Sequence, residues 1–144
     1  MSKNLIERLP ERPDAEALLG ALSWDAAGLV TVVARDAKHG EVLMVAHANR
    51  AALEASLATG FMHYYSRSRG KLWKKGEESG HAQRLVRLRF DCDGDAILAE
   101  VEQTAGACHL GYRSCFAYEW RPEAGFAVVG ERAFDPARAY RKKG

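Results

Sequence analysis

Asp91-Cys92-Asp93-Gly94-Asp95 places three carboxylates and one thiol within five consecutive residues. In an extended segment alternate side chains share a side, so Asp91, Asp93 and Asp95 can face one way and Cys92 the other. Hard cations such as Mg2+ take oxygen ligands, whereas thiolates suit Zn2+. The cluster could therefore hold two different metals back to back. An Asp-x-Asp-x-Asp run also opens an EF-hand loop. That loop needs Gly at its sixth position, which is Ala96 here, and flanking helices that the surrounding sequence lacks. The plain alternative is an acidic turn between two strands.

Two more thiols follow, in the stretch Ala107 to Phe116 (ACHLGYRSCF). The spacings, Cys92-x15-Cys108 and Cys108-x6-Cys115, are not the tight pairs of a zinc finger. Three thiolates leave a tetrahedron one ligand short, and an open position is what a catalytic zinc keeps for water. His109 could instead close the set into a structural site. Three buried free thiols are the simpler reading. The grouping of all three cysteines near acids and a histidine favours metal binding.

A third cluster runs over residues 64–81 (YYSRSRGKLWKKGEESGH). Arg and Ser beside Gly can wrap phosphate oxygens through forked and hydroxyl donors. Tyr and Trp offer faces on which a purine can stack. An RNA-binding module stabilised by zinc is the competing interpretation. It lacks an RNP-type aromatic pattern and an overall basic excess.

Short elements must position these groups. Pro13, Asp14 and Glu16 start a helix over about 13–21. Leu29 to Ala34 reads as a strand, paired as a hairpin with the run Glu41 to Ala48. Asn49 suits an N-cap and Gly60 a C-terminal cap, which predicts a helix over 50–59. Met62 to Arg67 is a further strand and Gly70 to Gly80 a polar loop. Gln83 to Phe90 alternates with Val86, Leu88 and Phe90 on one face. Ala96 to Gln103 alternates with Ile97, Ala99 and Val101 inward, and Phe116 to Trp120 forms one more strand. The fold class is α+β: short, mostly antiparallel strands with two or three helices in one compact domain over 13–137. Residues 1–12 read as a loose arm and 138–144 as a frayed basic tail.

Composition narrows the class. With 144 residues there is room for one core. Lys plus Arg is 21 and Asp plus Glu 19, so the net charge of +2 excludes a generally cationic nucleic-acid coat. No run approaches the roughly 18 apolar residues of a membrane span, and the charged N-terminus has no apolar signal core. Three cysteines cannot all pair within one chain, so a reduced, cytoplasmic protein is expected. Charge is uneven, however. Residues 67–89 hold eight basic residues against Glu77 and Glu78, while 91–102 hold five acids and no base. The bland account is two strand faces that pair across a sheet.

Residues 64–81, Asp91 to Asp95 and Ala107 to Phe116 resemble the three signature blocks of the phosphoribosyl-AMP cyclohydrolase family. Val42 to Leu53 (VLMVAHANRAAL) is similar to that family as well, so the resemblance spans roughly residues 28–120. The chain departs from the family pattern at His47, Ala48, Ala107 and Leu110. The resemblance implies a zinc- and magnesium-dependent homodimer acting in the third step of histidine biosynthesis. By motif, Cys92, Cys108 and Cys115 match the zinc thiolates, and Asp91, Asp93 and Asp95 the magnesium carboxylates. It also implies an intertwined dimer, with Cys92 of one subunit joining the other two cysteines of its partner. No room remains for the fused pyrophosphohydrolase domain of some relatives.

The chemistry implied is addition of zinc-activated water at C6 of an N1-ribosylated adenine and opening of the N1–C6 bond. His109 is the first candidate to move protons, with His63 and His81 second. Ser66, Arg67, Ser68, Arg69 and Lys71 would grip the phosphoribosyl nucleotide, and Trp73 would seal the loop. Lys74 and Lys75 are weaker phosphate candidates. Neither a nucleic acid nor a membrane is expected as a partner.

Overall fold

The computed structural model describes residues 4–139. Its centre is a four-stranded sheet in the order β2-β1-β6-β5. The strands are β1 (Val30–Asp36), β2 (Val42–Ala48), β5 (Gln83–Phe90) and β6 (Ala96–Gln103). β1 and β2 form the expected antiparallel hairpin, and β5 and β6 form a second. The two hairpins join through a parallel β1–β6 ladder that matches Thr31 to Ala96 and Asp36 to Val101. β1 buries every second residue, Val30, Val32, Ala34 and Asp36, as period-2 side-chain alternation requires.

One helix and one hairpin cover the sheet. Helix α3 (Arg50–Thr59) starts where Asn49 Oδ1 accepts the Ala52 N–H at 2.8 Å. It stops at Gly60, whose φ of 80° is open to Gly without strain. Leu53 and Ala52 face the core, and Ser56 Oγ accepts the His63 N–H at 2.8 Å. This contact ties α3 to β3 (His63–Ser66), which pairs with β4 (Lys71–Lys74). Tyr64 is fully buried, and its hydroxyl donates to Gln83 Oε1 at 2.5 Å. Gln83 passes the chain on to Gln103 Oε1 at 2.8 Å. A last hairpin, β7 (Tyr118–Arg121) with β8 (Gly125–Val128), leaves Phe116, Tyr118, Trp120, Phe126 and Val128 exposed.

Some local expectations shift. Lys71–Lys74 lies within the segment read as a loop, yet it forms β4 because Trp73 packs on Tyr64, ring centroids 5.2 Å apart. In β5 a bulge between Leu85 and Arg87 resets the alternation. Leu85, Leu88 and Phe90 therefore pack on the core, and Val86 is exposed. The segment expected as a loose arm carries a helical turn, α1 (Leu5–Arg8), with Leu5 buried and its N–H bonded to the Cys92 carbonyl at 2.8 Å. The second helix, α2 (Ala15–Ala21), starts at Asp14, whose side chain accepts the Ala17 N–H at 2.8 Å. Of the basic tail, Arg138 and Ala139 belong to the short α4 (Pro136–Ala139), and 140–144 lie outside the described residues. No helix among the described residues is long and apolar enough to cross a membrane.

Candidate functional site

The basic block divides into two populations. Arg87 and Arg89 on β5 converge on Glu100 of β6 at 2.8 and 2.9 Å, and Arg84 pairs with Glu102. These are the cross-strand pairs of the bland account. Arg67, Arg69 and Lys71 have no ion pair among the described residues. They sit on the β3–β4 turn, where Ser66 Oγ accepts the Arg69 N–H at 3.2 Å and Ser68 Oγ lies 3.4 Å from Ser66 Oγ. Gly70 closes the turn at φ 62°. Cations held without a protein anion are available to an external one.

This turn forms one wall of a cleft of about 940 Å³. Ser66, Arg67, Ser68, Arg69, Lys71 and Trp73 all line it, as do His109 and Cys115. The volume suits a ligand the size of a nucleotide. Of the histidines, His109 and His47 reach the cleft; His63 and His81 do not line it. His63 Nδ1 lies 2.9 Å from the Phe61 carbonyl, and the His81 ring packs edge-on against Phe134 at 4.3 Å. Burial, then the Lys75 ammonium, holds His81 below the usual imidazole range. Burial, then Arg67, does the same to His47 against a small opposing pull from Asp25.

Cys108 and Cys115 lie side by side, and Cys115 lines the cleft. Burial first, then the neighbouring Cys108, pushes the Cys115 thiol up to about 11, while Lys75 opposes both. Lys75 itself is buried, and Nζ donates to the Ala107 carbonyl at 2.7 Å. Desolvation lowers its pKa and the two thiols raise it. Arg113 holds the loop that carries both cysteines: its guanidinium donates to Asp36 at 3.0 Å and to the Gln103 and Ala105 carbonyls at 3.1 and 2.8 Å. The Cys115 N–H bonds the Leu43 carbonyl at 2.7 Å and fixes the other end to β2.

Cys92 is elsewhere. It lies in the turn joining β5 to β6, beside the Phe90–Ile97 pair. Leu43, which anchors Cys115, lies on β2 opposite the bulge between Ala34 and Arg35, level with Ala99 and Glu100 of β6. From the Thr31–Ala96 pair beside the turn to that level is three to four residues, roughly 12 Å at about 3.3 Å per residue, and β1 stands between β2 and β6. One chain therefore converges two thiols, not three. Among the described residues the one group of three possible metal ligands is Asp91, Asp93 and Asp95, whose oxygens lie within 4.8 Å of one another. Asp91 Oδ1 accepts the N–H groups of Gly94, Asp95 and Ala96 at 2.8, 3.1 and 3.4 Å, which folds the turn. A hydrogen bond with Asp91 raises the Asp95 pKa. Burial works against the Asp91 charge, but the bonds from Asp95 and the backbone outweigh it and hold its pKa low. Asp93 adds its own charge to the upward push on Asp95, as expected where carboxylates crowd together.

A sequence model of phosphoribosyl-AMP cyclohydrolase matches residues 44–117, which include both the cleft turn and all three cysteines. A phosphoribosyl-AMP cyclohydrolase of Alkalilimnicola ehrlichii is 50% identical over 143 residues, covering 99% of this chain and 100% of the relative. The chain belongs to the phosphoribosyl-AMP cyclohydrolase family. The cyclohydrolase of Methanococcoides burtonii is 54% identical over 122 residues, 85% of this chain and 98% of its own. That of Nitrobacter winogradskyi is 53% identical over 133 residues, 89% and 92% of the two chains. Within the cyclohydrolase cleft, sequence reasoning undervalued Lys75 and gave His47 no role. Burial of a lysine has no signature in sequence, and His47 stood out only as a departure from the family pattern. The RNA-binding interpretation has no support, and three of the eight basic residues, Arg84, Arg87 and Arg89, are spent on Glu100 and Glu102.

Proposed function

We propose that this chain hydrolyses phosphoribosyl-AMP, opening the N1–C6 bond of its adenine ring. The observation that carries this reading is the cleft, which Arg67, Arg69 and Lys71, without ion pairs among the described residues, line together with His109 and Cys115. The cations and the hydroxyls of Ser66 and Ser68 bind the phosphates, and Trp73 closes the pocket against the ring. Water adds at C6, the C6–N1 bond breaks, the oxygen at C6 gives up its proton and N1 gains one. His109 is the cleft group suited to carry that proton.

Thiolates suit zinc, and Cys108 and Cys115 provide two of them side by side. The third, by this reading, is Cys92 of the partner subunit in a homodimer, because a single chain holds Cys92 apart from them, in the turn joining β5 to β6. The exposed apolar surface of β7–β8 supports such pairing. Zinc, when bound, supplies Lewis acidity that makes water nucleophilic at neutral pH. Asp91, Asp93 and Asp95 present the oxygen set of a hard cation, assigned here to Mg2+.

The test is ultraviolet absorbance of the purified protein mixed with phosphoribosyl-AMP and both metals. Ring opening shifts the purine chromophore, and an unchanged spectrum refutes the reading. Cys108→Ser is expected to lose zinc and turnover together. A zinc-free, active Cys108→Ser protein would refute the role given to the thiols.

A further inference from the structure

The Asp91–Asp95 turn is braced from outside its own hairpin. Three consecutive carbonyls accept donors from the N-terminal segment and the residues after α2. The Cys92 carbonyl takes the Leu5 N–H at 2.8 Å. The Asp93 carbonyl takes Arg8 Nη2 at 2.7 Å and Ser23 Oγ–H at 2.8 Å. The Gly94 carbonyl takes the Ser23 N–H at 2.8 Å. Arg8 spans the gap: Nε donates to the Ala21 carbonyl at 3.0 Å and Nη2 also reaches Ser23 Oγ at 2.9 Å. The fit is close. A Cβ on Gly94 would stand 2.9 Å from Arg8 Nη2 and 3.1 Å from Leu5 Cδ1.

We propose that Arg8 is a positioning residue, which holds the backbone of this turn in the arrangement that converges Asp91, Asp93 and Asp95. The inference rests on the reading that these carboxylates take a divalent cation. Three like charges repel, and a turn free to open would relieve the repulsion by spreading them. A small cation demands near-ideal ligand placement, so the ordering must be supplied before it binds. The guanidinium reaches the turn through the Asp93 carbonyl and the segment after α2 through the Ala21 carbonyl and Ser23 Oγ. Its own positive charge disfavours a nearby cation, and that effect has the opposite sign to bracing. The experiment therefore separates the two.

Mn2+ is the probe, titrated into the full chain and followed by electron paramagnetic resonance. Asp91→Asn tests the site itself. Arg8→Met removes both brace and charge, Arg8→Lys keeps the charge and one donor, and Arg12→Met removes a charge from the same segment away from the turn. The expected result is Mn2+ binding by the parent that Asp91→Asn abolishes. Arg8→Met weakens it by about tenfold, as loss of a supporting partner does. Arg8→Lys falls between, and Arg12→Met leaves it unchanged. The thermal midpoint of the metal-free protein is expected to fall by only a few degrees in the Arg8 variants, and Mn2+ is titrated well below it, so that weakened binding does not come from unfolding. Mn2+ binding by Arg8→Met that equals or exceeds the parent overturns the brace and leaves the cation site standing. A parent that binds no Mn2+ overturns the site and the brace with it.

Discussion

Lys75 Nζ donates to the carbonyl oxygen of Ala107, the residue before Cys108, at 2.7 Å. A buried ammonium beside two thiols answers the charge that thiolates bring, and its hydrogen bond fixes the chain that carries one of them. Lys75→Met leaves the Ala107 carbonyl without that donor and the thiols without a cation. Zinc held by the variant is expected to be about tenfold weaker, measured by competition with a chromophoric chelator. Equal zinc affinity in parent and variant would remove Lys75 from the metal's surroundings.

The placement of the cysteines makes a mixing experiment decisive. Cys92→Ser and Cys108→Ser are each expected to be inactive alone. In a mixed dimer both lesions fall in one site and the other site is intact. Random exchange of subunits then restores about a quarter of parental activity, because half the dimers are mixed and each has one good site. A mixture as inactive as its components would exclude a site built from two copies.

Arg67 and Arg69, like Lys71, line the cleft without a carboxylate partner among the described residues. Replacing either by Ala removes a charged hydrogen bond of about 1.5–3 kcal/mol, so KM for the nucleotide should rise roughly 10- to 100-fold. The effect on kcat should be smaller, since phosphate binding is shared by substrate and transition state. Arg84→Ala, already paired with Glu102, is the comparison and should leave KM near the parental value. Equal effects at Arg67 and Arg84 would contradict the division of the basic block.

Glu100 is expected to contribute to stability against acid. Its side chain is 5% exposed, and Arg87 hydrogen-bonds it at 2.8 Å. Arg89 Nε lies 2.9 Å from the other oxygen, which is out of line for a hydrogen bond. The Arg87 bond, outweighing burial and helped by the charges of Arg87, Arg89 and Arg35, holds the carboxyl below its ordinary 4.5. A depressed carboxyl contributes stability that is present above the unfolded value and lost as pH falls through the folded one. Urea unfolding of Glu100→Gln between neutral and acid pH should therefore show a shallower loss of stability below 4.5 than the parent. An identical acid slope would deny Glu100 this part.

Local signals in the sequence carried the elements that depend on local chemistry. Asn49 and Gly60 marked α3 at its observed limits, Arg50–Thr59, because capping is decided by neighbouring residues. The β1–β2 hairpin followed from two β-prone runs around a turn. What depended on distant partners was not legible. β4 needs Tyr64 beneath Trp73, the bulge at Val86 is invisible to a count of alternation, and α1 is ordered by a carbonyl of Cys92 far along the chain. The parallel β1–β6 ladder links residues about sixty apart, for which periodicity has no signal. The chemistry-bearing residues were legible by type. That one chain separates Cys92 from Cys108 and Cys115 was implied only by the family resemblance, because spacing alone carries no sign of it.

The last hairpin also hands the experimenter an optical gauge. Trp120 is 68% exposed, while Trp24 and Trp73 are half-buried against the core. Indole emission from water-facing Trp120 should dominate the red edge of the spectrum. Anything that covers β7–β8 must turn that emission bluer, so encounters of this protein can be timed without a dye.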